Sequence, residues 1–159
     1  MQLGIFSTVF ERDTLEEKVD AVRDAGLVCV QFHMQCAGVE QMPEAIDEAL
    51  CDRIRVAHES RGIAIGAVSG TFNMIHPDEA IREDGLRRLA VLAEACERMG
   101  ASIITLCTGT RNTEWMWRPH PDNNTPEAWC DLVDSMAKVA EIAEANHVVM
   151  AFEPEVANT

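Results

Sequence analysis

Apolar residues along this chain follow two alternating rhythms. Short apolar runs of strand length lie near residues 3–7, 27–33, 63–69, 102–107 and 147–153. Between them, apolar residues recur every three or four positions, the spacing of a helix with one buried face. Leu15, Val19 and Val22 share such a face behind Thr14-Leu15-Glu16-Glu17, a capping box that starts a helix. Ile46, Leu50, Ile54 and Ala57 mark a second helix from about Pro43 to Arg61. Leu86, Leu89, Ala93 and Cys96 mark a third opening at Pro77-Asp78, and Val133, Met136, Ala140 and Ala143 a fourth opening at Thr125-Pro126-Glu127. Gly26, Gly62, Gly100 and Asn146 stand just past these helices, where a left-handed residue ends a helix, and they lie 36, 38 and 46 residues apart. The order is β-α-β-α-β-α-β-α-β, built from repeated helix-stop-strand units.

Strict alternation of this kind makes a parallel sheet, either doubly wound or closed as a barrel. A doubly wound sheet normally carries a glycine-rich phosphate turn after its first strand, and Ser7-Thr8-Val9-Phe10 stands there instead. The strand interiors favour a barrel. If His33 points inward, Gln31 and Cys29 do too, and Cys107 brings Thr105 with it, while Val28, Val30, Phe32, Ile104 and Leu106 take the opposite face. Polar or small residues inside and branched residues outside suit a wall covered by helices on one side. The last strand, Val148-Val149-Met150-Ala151-Phe152, ends on Glu153-Pro154, so a carboxylate is delivered to the carboxyl end, where such sheets place their ligands.

Composition narrows the partners. The 159 residues, read as one domain over 1–159, contain 27 acidic and 13 basic side chains, a formal charge of −14. Nucleic acid and anionic membrane surfaces are therefore disfavoured. No basic leader with an apolar core opens the sequence, and no apolar run approaches the roughly 18 residues of a membrane span, so a cytoplasmic setting is the expectation. The six cysteines form no C-x-x-C pair and no zinc spacing. They read as reduced and structural, with Cys107 the one to watch.

Three runs together carry a family resemblance: Gly70-Thr71-Phe72-Asn73-Met74-Ile75-His76-Pro77, Thr105-Leu106-Cys107-Thr108-Gly109-Thr110 and Ala151-Phe152-Glu153-Pro154-Glu155. The chain resembles the sugar phosphate isomerase/epimerase family of xylose isomerase-like TIM barrels over Gln2–Thr159. The resemblance implies a (β/α)8 barrel, of which these residues supply five parallel strands and four helices, an incomplete barrel. It also implies a divalent metal (Mn, Mg or Zn) with Glu153 as first ligand and as one of two proton-exchanging glutamates. The family's further Asp, His and Glu ligands have no counterpart in these residues. The expectation is an N-terminal portion of a longer protein, or a short relative, that self-associates and is inactive alone.

Other candidates sit where a barrel's site would be. His33 ends the second strand, and Asn73 and His76 follow the third; each histidine could serve the site or be structural, His33 in the barrel wall and His76 at a helix entry. The segment from Thr108 to Asn124 exceeds the usual 2–6 residues of a βα connection. It holds Arg111, Trp115, Trp117, Arg118 and His120, which could form a lid that stacks on a polyol and grips an anion, or simply pack the loop down. Glu155 and Asn158 are candidates for holding substrate hydroxyls. The function expected is metal-dependent isomerisation or epimerisation of a keto sugar, sugar phosphate or related polyol by proton transfer next to a carbonyl. The rivals are a non-catalytic half-barrel binding module and, disfavoured by the acidic charge, an AP endonuclease-like DNA repair enzyme.

Overall fold

A computed structural model describes every residue except Met1, Ala157 and Thr159. Its strands are β1 (Gly4–Phe6), β2 (Cys29–Phe32), β3 (Ala64–Ser69), β4 (Ile103–Leu106) and β5 (Val149–Phe152). The helices between them are α1 (Leu15–Asp24), α2 (Glu48–Glu59), α3 (Glu79–Met99) and α4 (Pro126–Asn146). All neighbouring strands pair in parallel, in the order β1-β2-β3-β4-β5. The strands are consecutive staves, as expected for part of a TIM barrel. Backbone bonding runs on past the strand ends: Ser7 N donates to Gln31 O, Gly70 N to Thr105 O and Glu153 N to Leu106 O.

The two faces of this sheet differ as the alternation implied. Val30, Phe32, Val68, Ile104 and Leu106 are buried at 2% exposure or less and pack under the helices, in one core with Leu15, Ile54 and Leu89. Gly4, Phe6, Cys29, Gln31 and Ala151 occupy the alternate positions and stay partly or largely exposed. At Gly66 the β2–β3 register slips by one residue, a bulge that sets Gln31 opposite Ala67. Among the described residues, nothing pairs with the outer edges of β1 and β5. Among the described residues, no helix is long and apolar enough to cross a membrane.

Local chemistry starts and stops the helices. Thr14 and Glu17 close the capping box reciprocally, and Asp47, Asp78 and Thr125 cap the next three helices. The second helix begins later than the Pro43 expected from periodicity, because the Asp47 carboxylate accepts the Leu50 N–H at 2.7 Å and supplies a stronger start. The last stop also moves by one: Asn146 stays helical and His147 takes the left-handed conformation, with φ 54°. The buried face of α4 is Leu132, Ser135 and Val139, not the Val133 and Met136 stripe. Two adjacent apolar stripes run along this helix, and periodicity alone does not choose between them. Ser135 goes inward because its hydroxyl donates to Met74 O at 2.8 Å.

His58 shows what the core asks of a polar ring. Its Nδ1 is 2.8 Å from Ile54 O one turn earlier, its edge meets Phe32, and its buried Nε2 has no protein partner. Burial holds the ring below the usual imidazole pKa, with the Ile54 carbonyl opposing the shift.

Gly85 lies inside α3, where alanine would ordinarily stabilise a helix by about 1 kcal/mol. Here a Cβ would run into the Phe72 ring. Gly85→Ala is therefore expected to lower stability in urea unfolding, and the same change on a Phe72→Leu background to recover part of the loss. A simple gain in the single variant would show that the ring yields freely.

Candidate active site

The carboxyl ends of the strands surround a cavity of about 440 Å³ whose wall includes Gln31, His33, Ser69, Trp117, Glu153 and Glu155. Glu153 is held from two sides. Its backbone N–H continues the β4–β5 ladder at 2.8 Å from Leu106 O, which fixes the start of the side chain. Its carboxylate then accepts from the Gln31 amide at 3.4 Å. The same amide nitrogen donates to the Thr105 hydroxyl at 2.7 Å, so one side chain ties β2, β4 and β5 together across the interior. A carboxylate so placed keeps acceptor capacity for a proton or a substrate hydroxyl.

His33 enters from β2. The Ser7 hydroxyl accepts its backbone N–H at 3.0 Å and lies 3.2 Å from the Cys36 sulfur, which locks the turn into the short 3-10 segment Met34–Ala37. The imidazole meets the Phe6 ring edge-on at 5.9 Å. Burial depresses its pKa, with the negative charge of Glu153 opposing, and its buried Nε2 has no protein partner. Cys107 is inert by comparison: at 2% exposure its thiol is pushed up to about 12 by burial.

Of the residues singled out from sequence, His33, Trp117, Glu153 and Glu155 line the cavity. The others hold the walls up. Asn73 clamps Thr110 in both directions, donating to its carbonyl at 2.8 Å and accepting its N–H at 2.9 Å. Gly109, with φ 92°, makes that approach possible, since a Cβ there would strike Asn73. His76 is buried and accepts the Asp78 N–H at 3.0 Å, a helix-entry role. Arg111 points to Ile75 O and pairs with Asp131 at 2.7 Å, where Arg82 also binds. Asn158 accepts from Gly109 N and donates to Met116 O, pinning the long loop to the tail of β5. Trp115 stands in the loop, 56% exposed and away from the cavity wall.

The loop from Thr108 to Asn124 is tied to its surroundings at several points. Thr110 and Asn123 add a hydroxyl-to-amide bond of 3.0 Å inside it. What the sequence reading missed are the neutral polar residues of the wall, Thr8, Gln35, Gln41, Ser69 and Thr71. Single glutamines and hydroxyls in loops carry no spacing signal; only the inward parity of Gln31 was readable in advance.

Among the described residues, no three His, Cys, Asp or Glu side chains gather into a metal-holding cluster. A stable site takes about four ligands, so the residues present fit a metal only in part, with Glu153 the best-placed carboxylate.

Comparison with known proteins places the chain. It belongs to the xylose isomerase-like TIM barrel family, which matches residues 19–159. Among solved structures it is similar to 3-keto-D-glucoside 4-epimerase from E. coli in its apo form, with TM-score 0.74 and 16% identity over 97% of this chain and 56% of that one. It is also similar to D-psicose 3-epimerase from Clostridium cellulolyticum H10, solved with D-tagatose, with TM-score 0.68 and 18% identity over 94% of this chain and 51% of that one. A third is the IolI protein with a zinc atom, with TM-score 0.68 and 17% identity over 97% of this chain and 51% of that one. The chain thus spans about half the length of these structures, and likeness at such identity shows the fold alone. No curated protein matches in sequence.

Asn73→Ala should free the loop while leaving the sheet intact. The expected result is faster amide hydrogen exchange at residues 109–118 with exchange in β2–β4 unchanged. Unaltered loop protection would mean that Arg111 and Asn158 suffice to hold it.

Proposed function

We propose that this chain forms the substrate-holding part of a sugar or polyol isomerase or epimerase that moves a proton between Glu153 and a substrate carbon next to a carbonyl. The observation that carries this reading is the Glu153 carboxylate, oriented by Gln31 inside a cavity walled with amides and hydroxyls. The carboxylate takes the proton, the electron pair of the broken C–H bond moves into the adjacent carbonyl as an enediolate, and the proton returns to a carbon to complete the exchange. Gln31 and Thr105 keep the carboxylate turned to the interior. Trp117 and Phe6 offer apolar surface for the sugar's carbon face, and Glu155 and His33 are placed to meet hydroxyls.

Family membership and the epimerases among its structural neighbours support the class. A divalent metal in such a protein would take Glu153 as one ligand, the rest of the set coming from beyond the described residues. In the intact protein, Glu153→Gln is expected to lower the isomerisation or epimerisation rate by about 10²–10⁴-fold, the usual contribution of a positioned general base. NMR detection of deuterium entering the carbon beside the carbonyl reads this directly, with circular dichroism confirming an unchanged fold. An unaltered exchange rate would remove Glu153 from the reaction.

The open edges of β1 and β5 favour a second reading beside this one, a half barrel that works as an assembly module. Unpaired edge amides and exposed apolar residues such as Leu3, Phe6 and Val149 promote association. Light scattering of the 159-residue chain is expected to show oligomers. A monomer across the concentration range would dispose of this reading.

A further inference from the structure

We infer that Arg88, on α3 and outside the cavity, is a positioning residue for the site: it grips the connection after β2 on both sides of Gln41 and so holds that amide in the cavity wall. The inference rests on the proton-transfer reading of the cavity and adds a residue that acts on it from outside.

The connection between β2 and α2 is the part that needs holding. Beyond the 3-10 segment, residues 38–47 run without a helix or strand, a stretch longer than the usual 2–6 residues. Gly38 turns the chain out of the 3-10 segment at φ 86°, in the left-handed region. Val39, Met42 and Ile46 pack against the core but are only partly buried. Gln41 lies midway along this stretch and lines the cavity, where its amide donates to Thr71 O at 3.5 Å. At that length the bond is weak, and it leaves the position of Gln41 to the backbone on either side.

Arg88 holds that backbone. Its Nη1 donates to the Glu40 carboxylate at 2.8 Å and to Met42 O at 2.7 Å, the residues immediately before and after Gln41. Its Nη2 donates to Glu44 at 2.8 Å, and its Nε to Asp84, one turn earlier on α3, at 2.8 Å. Asp84 therefore fixes the guanidinium on its own helix, while the outer nitrogens of the planar fork reach the loop. A lysine has no such fork. The Arg88 side chain is 19% exposed, so its charge is screened less than in the open surface pairs.

The arrangement also fixes a sign. Glu40, Glu44 and Asp84 are three carboxylates gathered on one guanidinium. Without that cation they repel one another, and the two on the loop are pushed off α3. These partners all lie between residues 40 and 84, so the open edges of β1 and β5 do not bear on them.

The test compares Arg88→Ala, Arg88→Lys, Gln41→Ala and the Arg88→Ala/Gln41→Ala pair in the intact protein. Amide hydrogen exchange at residues 38–46 is expected to speed by about tenfold in Arg88→Ala and less in Arg88→Lys, with β2–β4 unchanged. The Gln41 side-chain amide signal in NMR should shift in both. Salt should act with opposite signs, speeding loop exchange in the unaltered protein, where it screens attraction, and slowing it in Arg88→Ala, where it screens repulsion. In deuterium-entry assays with the free D-ketohexoses as probes, Arg88→Ala and Gln41→Ala should each raise KM more than they lower kcat. The pair should be no worse than either alone, since residues that act through one another are not additive. Unchanged loop exchange in Arg88→Ala, or a salt response of the same sign in both proteins, would overturn the inference by showing that Val39, Met42 and Ile46 suffice. Additive effects in the pair would overturn it too, by showing that Arg88 does not act through Gln41. Absence of deuterium entry with every ketohexose would bring down the sugar reading of the cavity instead, while loop exchange and the Gln41 signal still decide whether Arg88 holds Gln41.

Discussion

Burial of Val30, Phe32, Val68, Ile104 and Leu106 beneath the helices governs the direction of every other side chain on the sheet. Side chains alternate along a strand, so committing one face to the helices commits the other to the interior. Shifting any strand by one residue would drive its branched residues into the interior and Gln31, Thr105 or Glu153 under the helices, where a carboxylate is costly. The apolar outer layer thus keeps the Glu153 side chain on the interior face of the sheet. The repeated βα connection then puts the ends of all five strands on one side, so residues distant in sequence meet there.

The loop after β4 shows how polar bonds finish what apolar burial begins. Its tryptophans Trp115 and Trp117 stay exposed rather than packed in the core, and it is long enough to wander at modest entropic cost unless something ties it down. Asn73 ties it to the β3–α3 connection, Asn158 to the tail of β5 and Arg111 to α4 through Asp131. These are bonds to backbone and to a partly buried acid, the kind that fix geometry because an unmet partner is expensive. Trp117 reaches the cavity wall as a consequence.

Fold and chemistry also meet in the distribution of charge. Nearly all the basic side chains are drawn into ion pairs with an excess of acids, most of them on the helical surface, where such pairs add little stability. Among the described residues, the cavity wall carries two carboxylates, Glu153 and Glu155, and no lysine or arginine. β1 and β5 form the two unpaired edges of the sheet among the described residues.

The sequence by itself determined the order of strands and helices, the parallel barrel type, the inward parity of Gln31 and Thr105 and the place of Glu153, because each follows from a local period or a cap. It put α4 on the wrong stripe and started α2 early, since two apolar faces, or two possible caps, are equal until a neighbour competes for them. Tertiary structure alone decided that Asn73, Arg111 and Asn158 brace the loop and His76 caps the entry to α3 rather than face the cavity, while Gln35, Gln41 and Thr71 do face it. The type of a polar side chain says what it can bond to, but the partner within reach depends on which strands and loops the fold brings together. Glu153 was readable because an apolar strand aims it, whereas a residue in a loop is aimed only by contacts from far along the chain.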